Sequence, residues 1–158
     1  MSHAASASDQ NGWTRRALLG AAAGVVGSIA WRRAEASPEE LAAAVRAFAG
    51  GASLRTGRVV LDIAPLVENG NVVPITVTVQ SPMTAADHVK AIAVFNERNP
   101  QRDVAVFRMG PRAGRATVST RIRLATSQQI VAVAQMSDGS CFTHTVDVIV
   151  TLAACIET

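Results

Sequence analysis

From Arg58 to Leu152 the apolar residues recur at every second position in short runs, and each run is cut off by a turn. That period of two limits what the chain can fold into more than any other feature. Val59, Leu61 and Ile63 alternate with Arg58, Val60 and Asp62, and the pattern resumes over 73–80 (VPITVTVQ). Further runs cover 89–95, 103–109, 115–124, 129–135 and 143–152. Glu68-Asn69-Gly70-Asn71, Gly110-Pro111, Thr126-Ser127 and Ser137-Asp138-Gly139 read as turns between them. Seven short strands so spaced predict an all-β, antiparallel sandwich. Several runs are aliphatic on both sides of the alternation, so one sheet face needs a cover, either another chain or a helix.

A helix precedes the strands. Ser37-Pro38-Glu39-Glu40 supplies a capping hydroxyl, a proline at the first helical position and acids at the positive end of the dipole. Leu41, Val45 and Phe48 follow at helical spacing until Gly50-Gly51 stop the run.

Residues 1–36 belong to neither element. Arg15-Arg16 stand directly before the apolar run Ala17 to Ala30, which is too short to span a bilayer, and Ala34-Glu35-Ala36 suits cleavage before Ser37. This reads as a twin-arginine export signal and predicts a periplasmic protein. The expected organisation is therefore a signal over 1–36, a sandwich domain over 37–152 and a cysteine-bearing tail over 153–158. Without the signal, eleven basic residues face ten acidic ones, so no basic footprint for nucleic acid remains. No Ser-His-Asp order, carboxylate pair or phosphate-cradling glycine loop is present, so the sequence offers no catalytic set.

Two thiols remain. One extended strand joins Cys141 to Cys155, which would hold them roughly 46 Å apart, far beyond bridging distance. Cys141 is expected to enter the last strand as a small, partly buried hydrophobe. Cys155 lies past the strand, where a thiol can be modified or can link two copies of the chain. Cys141 and His144, with His88, suggest copper, but no methionine follows His144 and the two positions point to opposite strand faces. No metal or cofactor is expected. Arg121 and Arg123 share a strand face with Ser119, as a solvated face, a subunit contact or an anion-steering patch.

From the leader onward the chain resembles the SoxY family of sulfur-oxidation carriers. The resemblance runs through Asp62-Ile63-Ala64-Pro65-Leu66-Val67-Glu68-Asn69-Gly70, Val73-Pro74-Ile75, Ser81-Pro82-Met83 and Phe95-Asn96-Glu97-Arg98-Asn99-Pro100. It continues in Ser119-Thr120-Arg121-Ile122-Arg123-Leu124-Ala125 and in 131–139 (VAVAQMSDG). It implies an immunoglobulin-like sandwich that pairs with a second sandwich subunit, SoxZ. It also implies a protein that is not itself an enzyme. The terminal cysteine of the family, set among glycines, holds sulfur intermediates covalently for other periplasmic Sox enzymes, and Cys155 is the matching residue. Here the tail reads Ala153-Ala154-Cys155-Ile156-Glu157-Thr158, which is stiffer than glycine and adds negative charge that disfavours a thiolate and repels anions such as thiosulfate. The alternative to a carrier is a relative that binds or escorts a partner through a degenerate arm.

Overall fold

The computed structural model describes residues 38–154 of the chain. They form one helix, α1 (Pro38–Ala49), and the strands β1 (Leu54–Arg55), β2 (Val59–Asp62), β3 (Leu66–Asn69), β4 (Val73–Val79) and β5 (Val89–Asn96). β6 (Asp103–Arg108), a 3₁₀ turn (Pro111–Ala113), β7 (Thr117–Ile122), β8 (Gln128–Met136) and β9 (Cys141–Leu152) follow. The leader, the Ser37 cap and Cys155 lie outside the described residues.

Two curled sheets face each other. The larger has the order β1-β9-β8-β5-β6, with β3 also paired to β9, and the smaller has the order β2-β4-β7. All seven strands expected from the alternation are present, each within a few residues of its expected bounds, and they pair antiparallel. Two short strands join them that the alternation did not reveal. β1 and β3 both pair with β9 in parallel, β3 in the register Leu66↔Ile149, Val67↔Val150 and Asn69↔Leu152. Leu66 to Asn69 were therefore only half read as a turn. Strand β9 pairs with β8 up to Val148, and its last four residues run on beside β3 instead.

Between the sheets lies a core of Val, Ile and Leu, including Val73, Val77, Ile92, Leu124, Ile130 and Val148. The surplus apolar face has its cover in α1. Leu41 and Val45, with Phe48 beside them, pack on Ala93, Phe95, Val131 and Val133, so β5 and β8 are buried on both faces. Phe48 meets Phe95 edge to face at 5.9 Å between centroids. The helix ends where expected: Gly50 takes φ +62° and donates its amide to the Ala47 carbonyl. In β4, by contrast, only Val73, Ile75, Val77 and Val79 turn inward, a strand with one buried face.

Candidate functional site at the base of the C-terminal tail

After β9 the chain reaches Ala154, and three segments close around that residue. The Ala154 amide donates to the Leu124 carbonyl at 3.1 Å. Leu124 in turn donates its own amide to the Gly70 carbonyl at 2.8 Å, and the Gly70 amide donates to Leu152 at 2.8 Å. Ala154 is buried, and Leu124 is fully so. At Gly70 the reason for glycine is space. A Cβ there would stand 2.3 Å from the Leu124 oxygen, 3.0 Å from the Ala154 nitrogen and 3.1 Å from a Val150 methyl. Gly70 and Asn71 stand in a turn, as expected, but Gly70 is not among the glycines of positive φ, so close packing and not φ calls for glycine there.

The Leu124 segment is held from its other side by amides. Asn99 donates its side-chain NH₂ to the Arg123 carbonyl at 2.7 Å. Its Oδ1 accepts the Ala125 amide at 3.0 Å and the Gln128 side chain at 2.8 Å. Asn99 is oriented by Asn96, which accepts its backbone amide at 3.0 Å and donates to the Gln101 carbonyl at 2.8 Å. Asn96 and Gln128 are the buried polar residues of the described chain, and each has its partners, as burial demands. Ser127 ties this loop to β9 by accepting the Val150 amide at 2.9 Å. Arg102 joins the same loop to the helix, donating to the Asn99 carbonyl and pairing with Glu40.

Three of the motifs that carry the resemblance thus meet at one place: Glu68-Asn69-Gly70, Asn96 to Pro100, and Arg121 to Ala125. Two others sit at the opposite end of β9 and serve the fold there. Ser137 accepts the His88 amide and donates to the Ala86 carbonyl, and Ser81 accepts the amide of Met83. Arg121 and Arg123 are exposed while Ile122 and Leu124 are buried, the facing expected of them. Asn99 carries the network but is a residue that sequence reasoning gave no role. A lone Asn before Pro shows nothing of three partners drawn from residues 123–128.

Cys141, the first residue of β9, is a free and fully buried thiol. Its Sγ lies 3.8 Å from the Ala49 carbonyl at the end of α1. Burial pushes the thiol pKa up, and the nearby Asp138 charge adds to the rise. His144 faces the other way, its Nδ1 accepting the Leu61 amide on β2 at 2.9 Å, so the two residues expected to diverge do diverge. Because Nδ1 accepts, the ring proton belongs on Nε2. Cys155, the expected attachment residue, follows Ala154 directly and lies outside the described residues.

The family model for sulfur oxidation protein SoxY matches residues 45–155, a span that takes in all three converging motifs and Cys155. The chain belongs to the SoxY family. The sulfur carrier protein SoxY from Chlorobium limicola f thiosulfatophilum is similar in structure, at 29% identity and a TM-score of 0.59, over 73% of this chain and 100% of that one. The superoxide reductase (neelaredoxin) from Ignicoccus hospitalis, at 14% identity and TM-score 0.55, covers 61% of this chain and 94% of its own. A putative superoxide reductase from Thermotoga maritima, at 22% and 0.51, covers 62% and 87%. The likeness to the reductases is one of fold. Among curated proteins none matches the chain. For a SoxY, the tail base just described is the part of the sandwich that borders the thiol residue.

Proposed function

We propose that this SoxY-family chain is a periplasmic carrier that holds a sulfur intermediate as a covalent adduct on Cys155 while bound to a SoxZ-like subunit. The observation that carries this reading is the family match running through Cys155 together with the convergence of the family-like motifs on Ala154, its neighbour. A carrier needs no catalytic set of its own. Coupling a thiolate to thiosulfate forms an S–S bond and releases two electrons, so a partner enzyme supplies the oxidant, and hydrolysis by another releases the outer sulfonate as sulfate and leaves a persulfide on the carrier. The twin-arginine leader supports the compartment. The paired Leu66 and Ile149, about 59% and 60% exposed, support a second subunit seated on that face of β3 and β9.

Intact-mass spectrometry after incubation with thiosulfate and the oxidising Sox enzymes tests the reading. The carrier gains a reductant-labile mass that Cys155→Ser abolishes. Protein that stays unmodified yet co-purifies with a sandwich partner is instead an escort, and a reducible dimer band shows Cys155 linking two copies.

A further inference from the structure

We propose that Gly70 is a positioning residue for the thiol-bearing tail: its missing side chain lets Leu124 hold the Ala154 amide, and that bond fixes the point from which Cys155 departs. The space is too small for any other residue, since a Cβ at 70 would lie 2.3 Å from the acceptor oxygen and 3.0 Å from the donor nitrogen. The acceptor cannot drift to make room. Leu124 is bonded back to Gly70 through its own amide, and Asn99 grips the residues on either side of it. The Ala154 methyl is buried in the same junction.

The inference rests on the carrier reading for its purpose and on the junction alone for its geometry. In a carrier built this way the tail is tied to the sandwich through Ala154. The alanines at 153 and 154, in place of the glycines implied by the family resemblance, fit an arm that is seated up to the residue before its cysteine.

The test uses the full chain and two variants, Gly70→Ala and Ala154→Pro, with hydrogen exchange of the Ala154 amide and a nitroxide on Cys155. The parent is expected to protect the Ala154 amide, and Gly70→Ala to lose about tenfold of that protection, the worth of one hydrogen bond. The nitroxide spectrum is expected to be broad in the parent and to sharpen in both variants. If Gly70→Ala does not fold, Ala154→Pro, which removes the donor after the last strand, carries the test. An unprotected Ala154 amide in the parent, or identical nitroxide spectra in parent and Ala154→Pro, overturns the proposal. Neither readout involves sulfur. An adduct on Cys155 with a loose tail therefore removes the anchor and leaves the carrier, while a protected tail without adduct does the reverse.

Discussion

Leu124 accepts the Ala154 amide at 3.1 Å while its own amide is bonded to Gly70, so one buried residue ties the end of β9 to the loop after β3. The residue that precedes the thiol is thereby part of the folded body. The polar network around Asn99 supports that tie without touching the tail.

Asn99→Ala should show how much the network contributes. The change strips partners from the Gln128 side chain, the Ala125 amide and the Arg123 carbonyl together. Gln128 keeps the Thr126 carbonyl at 3.1 Å, so the cost falls on the half-buried Ala125 amide and on the Arg123 carbonyl. Urea unfolding should show a loss of about 1–3 kcal/mol at an unchanged m-value. A loss below about 0.5 kcal/mol would mean that water replaces the amide freely.

His144→Ala should loosen the contact between the sheets at the edge of β2. It leaves the Leu61 amide without its acceptor, and Leu61 itself is buried. The expected cost is about 1–2 kcal/mol by thermal or chemical denaturation.

The two thiols should separate by reactivity. Cys141 is buried with its pKa raised, so a native sample treated with a disulfide reagent at neutral pH should titrate Cys155 alone, and Cys141 only after unfolding. The raised value also sets a pH trend. Above the ordinary thiol pKa of 9.0 the unfolded chain gives up the proton that native Cys141 keeps, so stability falls as pH rises there. Cys141→Ser should flatten that alkaline decline. Rapid labelling of both thiols in the native state would contradict the burial.

Ile149→Asp should weaken association with the proposed SoxZ-like subunit. The side chain is exposed beside Leu66, so the fold loses little, whereas a charge in an apolar contact is costly. Titration calorimetry should show the dissociation constant rising at least about tenfold, with the melting temperature of the isolated chain nearly unchanged.

Much of this was legible in the residues. Val73-Pro74-Ile75-Thr76-Val77-Thr78-Val79 reads as a strand, but one with aliphatics on both sides, whereas only Val73, Ile75, Val77 and Val79 turn inward; Leu41, Val45 and Phe48 mark a helix laid on something apolar. Strand β3 was not legible, because only Val67 of its four residues turns inward and its partner lies some eighty positions away. A short parallel pairing leaves no local period to find. Cys155 as the attachment residue is a proposal carried by family resemblance, since a thiol near the chain end announces no chemistry by itself. Gly70 shows the limit most clearly. Asn-Gly has a good local explanation as a turn, and its actual constraint comes from a carbonyl more than fifty residues away.

Tandem mass spectrometry of the C-terminal peptide, taken from protein loaded with thiosulfate by the oxidising enzymes, tests the carrier assignment most directly. The account predicts a reductant-labile sulfur mass confined to Cys155. A loaded sample whose added mass sits on Cys141, or a Cys155 peptide that stays bare under conditions that load another SoxY, would contradict it.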